Sequence, residues 1–312
     1  MRDFAKDILL GVAVGDAIGV PVEFISRAEL ARDPVEGMRA YGSHRQPPGT
    51  WSDDSSLTFC LAEMLCGDYD LLNLAGRFIN WKQHAYWTPR GEVFDIGMGT
   101  SGAIDRLARG VSPVMAGGDS VDSNGNGSLM RILPLLLRVR KENIDRRFSL
   151  VKDVSSLTHR HIRSVLACFI YLEMALQLID GNGKFDAYRK TYDMANAFLA
   201  ETAICTGEER KHFERILSGN IGAENESQIH SSGYVLHTLE ASVWCLLNTG
   251  TYAEAVLKAT NLGSDTDTTA AVTGGLAGLV YGWQAIPEEW LLALACRKEI
   301  ENLAGRLNKK FN

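Results

Sequence analysis

The sequence predicts an all-α fold, a single compact multi-helix domain covering residues 1–312. Apolar residues recur at the spacing of three and four that places them on one face of a helix, and they do so through most of the chain. No segment alternates apolar and polar residues over the length of a strand, and no hairpin turn joins two such segments. The chain also lacks an internal repeat and a linker between regions of different composition. One domain is therefore the simplest account, although the length allows about two.

Each predicted helix follows from such an apolar pattern. The helix after Trp51 is predicted because one face carries Leu57, Cys60, Leu61, Met64 and Leu65. A second stripe runs from Val165 to Ile179 and stops at Gly181, and a third runs from Ile300 to Leu307. Further helices, with ends placed to within ~2–4 residues, are predicted at about 3–14, 70–84, 98–109, 128–140, 184–203, 208–218, 233–248, 252–262, 266–282 and 287–307.

Three connections between these helices are long and rich in small or turn-forming residues. They cover about 41–52, 110–128 and 219–232, and the first is YGSHRQPPGTWS. In a compact helical protein, connections of this length are often functional. These segments are therefore the first places in which we expect site residues.

The overall composition excludes several classes of protein. Hydrophobic residues make up 46% and charged residues 22% of the chain, as in a protein with a buried core and unlike a disordered one. The net charge of −6 argues against general attraction to nucleic acid or to an anionic membrane. No run approaches ~18 consecutive apolar residues, so no membrane span is expected. The first residues show no secretory signal pattern.

The cysteines indicate a reduced, intracellular environment. They are Cys60, Cys66, Cys168, Cys205, Cys245 and Cys296. None forms a CxxC pair and most lie in apolar helical runs, so we expect reduced core residues and no disulfide framework or zinc site. A cytoplasmic location is therefore expected. The composition leaves the oligomeric state open, and a monomer is compatible with it.

Two clusters of carboxylates stand at predicted helix starts. The first is Ser52-Asp53-Asp54-Ser55, and a serine N-cap with acids in the first turn explains it without any ligand. The second, Gly263 to Thr269, packs two carboxylates and three threonine hydroxyls into five positions. That is more like charge than a helix start needs, and a hard divalent cation would relieve it. The donors are all oxygen, which selects Mg²⁺, Mn²⁺ or Ca²⁺ over Zn²⁺.

The position of the clusters near opposite ends of the chain leaves open whether they meet. If the fold joins the two helix starts, four carboxylates and several hydroxyls converge. That set is large enough for two metal ions about 3.5–4 Å apart, which could orient a substrate and activate a water molecule.

Weaker signals lie in other segments. Asn124 to Ser128 (NGNGS) precedes the predicted helix 129–138 and is either a cradle for a diphosphate or ribose, or an ordinary turn with a serine cap. Gly15 or Gly19 would end the first helix as a C-cap. Glu23 is either a proton carrier in a buried site or, as the residues alone favour, a surface carboxylate.

Three more segments could contact a ligand. Asp95-Ile96-Gly97 precedes a helix start rich in Gly and Ser. The segment Thr158 to His161 offers two histidines, and Arg160 or Arg163 could face phosphate, although a capped helix start explains the pattern equally well. Tyr234 could offer its ring to an adenine or a ribose, or simply pack in the core.

The order of these motifs resembles that of the ADP-ribosylglycohydrolase family, which includes the dinitrogenase-reductase-activating glycohydrolases. The resemblance runs from about Asp7 to Leu292. It rests on GDAIGVPVEF, WSDDS, DIGMGT, NGNGSLMR, THRH, SGYVLHTLEA and NLGSDTDTTAAVTGGLAG. Each motif alone is modest, but the ordered set is specific. The resemblance implies a compact all-α domain with two divalent cations, Mg²⁺ or Mn²⁺.

The resemblance also implies roles for individual residues. The metal-ligand positions are matched by Ser52, Asp53, Asp54, Asp265, Asp267 and Thr268. Positions that bind or surround the substrate are matched by Asn126, Gly127, Ser128, Met130, Asp95, Gly97, His159, Gly233 and Tyr234. Glu23 matches a residue that approaches the metals and gates the site. Ser52 is a tolerated variant of a Thr or Ser position, and Ser264 stands where many relatives have Gly, which bears on the local backbone shape.

The implied activity is metal-dependent hydrolysis that removes ADP-ribose from a modified protein side chain, with arginine the first expectation. A metal-associated water would attack the anomeric carbon or assist ring opening, and Asp54, Asp95 or Glu23 would move the proton. This differs from the usual two-carboxylate glycosidase, which needs no metal. The partner would be an ADP-ribosylated protein or another ADP-ribose conjugate. The alternatives are a non-catalytic ADP-ribose-binding relative and a hard-metal phosphoesterase acting on nucleotides.

Overall fold

The computed structural model describes residues 2–311 and confirms the all-α prediction. Within these residues the only β-type pairing is three isolated bridges, Tyr41 with Gln46, Gly118 with His159 and Gly125 with Tyr234. The α-helices are α1 (Phe4–Gly19), α2 (Arg27–Leu30), α3 (Asp53–Leu65), α4 (Leu71–His84), α5 (Met98–Ala108), α6 (Pro113–Ala116), α7 (Leu136–Val139), α8 (Ile144–Ser156), α9 (Ile162–Ile179), α10 (Lys184–Glu201), α11 (Gly207–Lys211), α12 (Val235–Leu247), α13 (Tyr252–Thr260), α14 (Thr266–Tyr281), α15 (Glu288–Ala293) and α16 (Arg297–Phe311).

The centre of the fold is the antiparallel pair α1 and α14, whose backbones approach unusually closely. A Cβ atom added to Gly11 would lie 2.5 Å from the carbonyl oxygen of Gly274, and one added to Gly15 would lie 2.2 Å from that of Ala270. At the end of α1, a Cβ on Gly19 would lie 2.3 Å from the Cα of Asp267. The glycines, spaced four apart, therefore bring the start of α14 against the end of α1.

These contacts correct the expectation that Gly15 or Gly19 caps the first helix. The helix continues through both residues, and neither adopts the left-handed conformation of a glycine C-cap. Their lack of a side chain serves helix packing and not helix termination.

The helix α9 forms a second core element. By length and composition it could cross a membrane, with a mean hydropathy of 1.7, but 83% of that window is buried inside the protein. Phe169 on α9 packs against Phe148 of α8 and Phe198 of α10, with ring centroids 5.4 and 5.1 Å away. The hydroxyl of Tyr171 donates to the carbonyl of Val272 on α14 at 2.9 Å, which joins the two core elements.

Three helix predictions need correction, and the helix α8 was missed. The predicted helix 128–140 is a series of turns followed by a 3-10 turn (Leu133–Leu135) and the short α7. Pro134 explains this, because it cannot donate the hydrogen bond that a helix interior requires. The predicted helix 208–218 ends already at Lys211, and 287–307 is broken into α15 and α16 at Cys296, which has a φ of 54°. The helix α8, capped by the side chain of Asn143, was not predicted.

The prediction that the cysteines are core residues holds for three of the six. All six are free. Cys60, Cys168 and Cys245 are buried in helices, whereas the other three are half-buried.

Candidate active site

The two acidic clusters meet at one place in the fold. The hydroxyl of Thr268 donates to Oδ1 of Asp54 at 3.3 Å, across 214 positions of the sequence. Carboxylate oxygens of Asp16, Asp54 and Asp267 lie within 4.8 Å of one another. So do those of Glu23, Asp265 and Asp267. The starts of α3 and α14 thus form a single acidic floor.

Asp16 joins this floor to the central helix pair. It lies on α1, is fully buried, and accepts hydrogen bonds from the backbone N–H of Ser52 at 2.9 Å and of Ser55 at 3.0 Å. The hydroxyl of Ser55 also donates to it at 2.5 Å. Burial raises the pKa of Asp16 to about 6, and these donors oppose the rise. The sequence pattern offered no role for Asp16, which fixes the start of α3 against α1.

The carboxylates of the floor have oxygens without protein partners. Within the described chain, Oδ2 of Asp54, Oδ1 of Asp265 and Oδ2 of Asp267 are buried and receive no hydrogen bond. Burial, followed by repulsion from neighbouring carboxylates, raises the pKa of Asp53, Asp54 and Asp267 well above the usual range. Unpaired buried carboxylates are costly unless a cation balances them. Hard divalent cations accept such oxygen ligands, so these residues fit the metal hypothesis.

The helix-cap interpretation of the first cluster holds at the same time. The hydroxyl of Ser52 accepts a hydrogen bond from the N–H of Asp54 at 3.3 Å, as an N-cap should. In contrast, no side chain caps the start of α14 in the described structure. A cap alone therefore accounts for Ser52 but not for the excess charge of the second cluster.

A cavity of about 1230 Å³ opens above the floor. Among the residues that the sequence singled out, its lining includes Glu23, Asp53, Asp95, Gly97, Asn126, Gly127, Met130, His159, Gly233, Asp265 and Thr268. Asp54 and Asp267 lie in the floor and are not on the cavity wall. Ser128 is buried and accepts a hydrogen bond from the hydroxyl of Ser155 at 3.0 Å, so it supports the wall from behind.

The NGNGS segment is held against the segment that contains Gly233. The side-chain NH₂ of Asn126 donates to Oδ2 of Asp265 at 2.7 Å and to the hydroxyl of Thr238 at 2.9 Å, and its backbone N–H donates to Gly233 at 3.0 Å. Both amide hydrogens are used, which leaves the side-chain oxygen as the group without a partner among residues 2–311. The segment leads into turns, so the helix predicted to begin after it is absent there, while its role as a cradle for a diphosphate or ribose stays a prediction.

His159 forms one side of the cavity in its neutral form. It is buried, its Nδ1 lies 2.8 Å from the hydroxyl of Thr158, and burial followed by the charge of Arg131 lowers its pKa to about 3. A Cβ on Gly127 would lie 2.8 Å from Cε1 of this ring, so only glycine fits there. The ring of His159 therefore packs directly against the backbone of Gly127, where a larger residue would displace it.

Tyr234 and Arg163 are paired away from the cavity. Arg163 donates to the hydroxyl of Tyr234 at 3.1 Å and to both carboxylate oxygens of Glu209. Neither residue lines the cavity, whereas Arg160 does. The expectation that Arg163 faces a phosphate is not supported by this geometry.

Glu23 is only 4% exposed, so the surface position favoured by the residues alone is wrong. Burial, together with repulsion from the charge of Asp265, raises the pKa of Glu23 to about 8. The backbone N–H of Phe24 donates to Ser264 at 2.7 Å, and the N–H of Ser264 donates to Ile25 at 2.8 Å. Glu23 is therefore tied to the segment just before Asp265.

Two residues that line the cavity, and one that directly precedes Asp265, occupy the left-handed region of backbone space. Ser264 and Phe24 have φ values of 65°, and Asp95 has a φ of 56°. Glycine adopts such angles without steric cost, which explains why a serine at position 264 matters for the local shape. Non-glycine residues in this region cluster at functional sites.

Sequence reasoning missed three residues of the site. They are Asp16, His44 and Thr238, which contact Ser55, Glu23 and Asn126 respectively. The long segment 41–52 pointed to the neighbourhood of His44, but nothing in the pattern distinguished that residue.

Comparisons with known proteins give matches over nearly the whole chain. A family model described as ADP-ribosylglycohydrolase matches residues 1–312. The "ADP-ribosylarginine hydrolase Tri1" of Serratia proteamaculans is 33% identical over 98% of this chain and 79% of its own length. The "ADP-ribosyl-[dinitrogen reductase] glycohydrolase" of Rhodospirillum rubrum is 28% identical over 96% of this chain and 93% of its own length.

A solved structure gives the same result. The chain matches an "ADP-ribosylglycohydrolase-related protein complex" with a TM-score of 0.82 and 30% identity, over 99% of this chain and 98% of that one. The resemblance inferred from the ordered motifs is thereby confirmed, and with it the expectation of a glycohydrolase enzyme. The chain belongs to the ADP-ribosylglycohydrolase family.

Proposed function

We propose that this protein is a metal-dependent hydrolase that releases ADP-ribose from a modified arginine side chain of a protein. The observation that carries the proposal is the set of unpaired, buried carboxylate oxygens that α3 and α14 place at the floor of one large cavity. The arginine linkage is supported by the relatives from Serratia proteamaculans and Pseudomonas putida that are named ADP-ribosylarginine hydrolases. The free cysteines support a cytoplasmic location.

The floor would hold two divalent cations, Mg²⁺ or Mn²⁺. The residues that would bind them are Ser52, Asp53, Asp54, Asp265, Asp267 and Thr268. When bound, such ions orient substrate oxygens and lower the pKa of an associated water molecule. All six residues offer oxygen ligands, which is the chemistry that these ions prefer.

The cavity wall would orient the ADP-ribose. The free side-chain oxygen of Asn126 can accept a hydrogen bond from a ribose hydroxyl. Gly97 is the N-cap residue of α5, and no side chain of the described structure caps that start, so the first N–H groups of the helix are available to a diphosphate. The neutral ring of His159 contacts the glycine segment beside them.

Proton transfer to the leaving arginine would use a carboxyl on the cavity wall. Glu23 and Asp95 line the cavity, whereas Asp54 lies in the floor, where it contacts Thr268. This position favours Glu23 or Asp95 over Asp54 as the proton carrier, and it favours Asp54 as a metal ligand.

The test uses a protein ADP-ribosylated on arginine and mass spectrometry of the products. We expect intact ADP-ribose to be released with Mg²⁺ or Mn²⁺, and release to stop with a chelator. Asp54→Asn and Asp267→Asn should lose release while remaining folded, and Asp186→Asn, an exposed aspartate on α10, should match the wild type.

Other products would identify the alternatives. AMP or phosphate would indicate a phosphoesterase, and calorimetric binding of ADP-ribose without release would indicate a non-catalytic relative. Undiminished release by both floor variants would reject the metal assignment. A parallel panel of serine-linked and arginine-linked peptides would test the linkage.

A further inference from the structure

His44 lies beside the two carboxyls of the cavity wall, and the proposed function gives it no role. Its Nε2 atom forms a hydrogen bond with Oε2 of Glu23 and lies 3.8 Å from Oδ1 of Asp95. Its side chain is 14% exposed, so the contact is largely shielded from solvent. Next to it, the hydroxyl of Ser43 donates to the backbone carbonyl of Glu23 at 2.5 Å. Two consecutive residues therefore hold Glu23 by both its main chain and its side chain.

The imidazole of His44 is itself held in place by aromatic rings. The ring of Phe24 lies 5.9 Å and that of Phe94 lies 5.2 Å from it, both in tilted orientations. The two phenylalanines come from the residues that directly follow Glu23 and directly precede Asp95. The ring is thus fixed by the same two segments whose carboxyls it faces.

The backbone around His44 is specialised for this placement. Tyr41 and Arg45 have positive φ values of 65° and 56°, and the N–H of Tyr41 donates to the carbonyl of Gln46 at 2.6 Å. At Gly42 a Cβ would lie 1.8 Å from the carbonyl oxygen of Pro21, which is two residues before Glu23. The loop therefore packs directly against the turn that carries Glu23. Strained backbone of this kind is retained where the surrounding structure and function require it.

We infer that His44 is a positioning residue for Glu23. A glutamate side chain has three rotatable bonds, and without a partner it distributes among several rotamers. The hydrogen bond with His44 selects one of them and holds the carboxyl at the cavity wall, close to Asp95 and to the floor. A displacement of about 1 Å in a reacting group can cost roughly 100-fold in rate. The inference rests on the proposed function, because it assigns Glu23 a task in the same site.

The experiment separates the hydrogen bond from the packing of the ring. His44→Phe keeps an aromatic ring between Phe24 and Phe94 but cannot form a hydrogen bond with Glu23. His44→Gln loses the ring but offers an amide group that can form a hydrogen bond with the same carboxyl group as either donor or acceptor. Both variants are compared with wild type in kcat and KM for release of ADP-ribose from an arginine-modified protein, at saturating Mg²⁺ or Mn²⁺. His84→Ala, an exposed histidine at the end of α4, is the control.

We expect His44→Phe to lower kcat by roughly 10- to 100-fold with little change in KM, and His44→Gln to recover most of that loss. In a Glu23→Gln background, His44→Phe should cause less than about a twofold further loss, since groups that act as a unit are not additive. The His84→Ala control should match the wild type. Unfolding midpoints of all variants show whether they remain folded.

Other results would overturn the inference. These are a His44→Phe variant as active as wild type, a His44→Gln variant no better than His44→Phe, or losses that multiply in the Glu23→Gln background. Release by the wild type together with any of these results rejects the role of His44 and leaves the proposed function standing. No release by the wild type rejects the proposed function and this inference together.

Discussion

The close approach of α1 and α14 predicts opposite effects for two chemically identical substitutions. Gly15→Ala places a methyl group 2.2 Å from the carbonyl oxygen of Ala270 and 2.7 Å from its carbonyl carbon. Gly305→Ala, in the middle of α16, meets no atom within 4 Å in the described structure apart from its own helix and chain neighbours. Both changes replace glycine by alanine inside a helix, so only the space around the new methyl group differs.

The magnitudes follow from this difference. Alanine is favoured over glycine in a helix by about 1 kcal/mol, and both variants gain that amount. Non-bonded carbons prefer about 3.5–4.0 Å, so Gly15→Ala forces the two backbones about 1 Å apart. Overpacking of this kind costs about 1–3 kcal/mol, and rigid backbone on both sides places the cost at the upper end, about 3 kcal/mol. Gly305→Ala should therefore gain about 1 kcal/mol and Gly15→Ala should lose about 2 kcal/mol.

The assay is unfolding by urea and by heat. At roughly 2 °C per kcal/mol, the value for larger domains, the two variants should differ in Tm by about 6 °C. Because Gly15 precedes Asp16, the shift also displaces the start of α3, and release of ADP-ribose by Gly15→Ala should fall by roughly 100-fold. Equal stabilities for the two variants would refute the described contact between α1 and α14.

Three further predictions concern the site. Mg²⁺ or Mn²⁺ at 100 times its Kd should stabilise the wild type by about 2.7 kcal/mol. Asp267→Asn should raise the Tm of the metal-free protein, because it removes one of the crowded carboxylates, and it should abolish the increase in Tm that the metal causes. Thermal scans with and without a chelator measure both effects. Thr238→Val removes the acceptor of the Asn126 amide, so steady-state kinetics should show a several-fold higher KM with kcat nearly unchanged; an unaltered KM would contradict the role of that hydrogen bond. The pKa of His159 is lowered to about 3 in the folded state from about 6.5 when unfolded. The unfolded chain therefore binds the proton first as the pH falls, and the stability that the neutral ring provides above about pH 6.5 is lost toward pH 3. Between pH 7 and pH 5 the wild type should lose about 2 kcal/mol more than His159→Gln, measured by urea unfolding, and identical pH profiles would contradict a buried neutral ring.

The first acidic cluster shows how one segment serves two purposes. Ser52 caps α3, and the acids that follow are also well placed for the helix dipole. The same carboxylates face a second helix start and keep an unpaired oxygen at Asp54. Local helix chemistry thus explains why these residue types occur at a helix start, while their excess over what a cap requires indicates a ligand.

Two of the sequence-based predictions are wrong for different physical reasons. The prediction of a helix at 128–140 relied on the apolar run alone. Pro134 lies within that run, and its ring prevents a continuous helix. Glu23 was assigned to the surface by the residues alone because nothing near it in sequence provides a partner. Its actual neighbours, His44 and Asp265, come from other parts of the chain.

The sequence by itself determined the all-α class, the starts of α3 and α14, and the oxygen-only character of the donors. These features depend on periodicity, capping and side-chain chemistry, which act over a few residues. Only the tertiary structure decided that the two acidic helix starts meet. It also decided that Asp16 holds the start of α3 and that His44 contacts Glu23. That outcome depends on the glycine-mediated contact between α1 and α14, which joins backbones from opposite ends of the chain. The glycines are visible in each segment, but neither segment shows which helix packs against it.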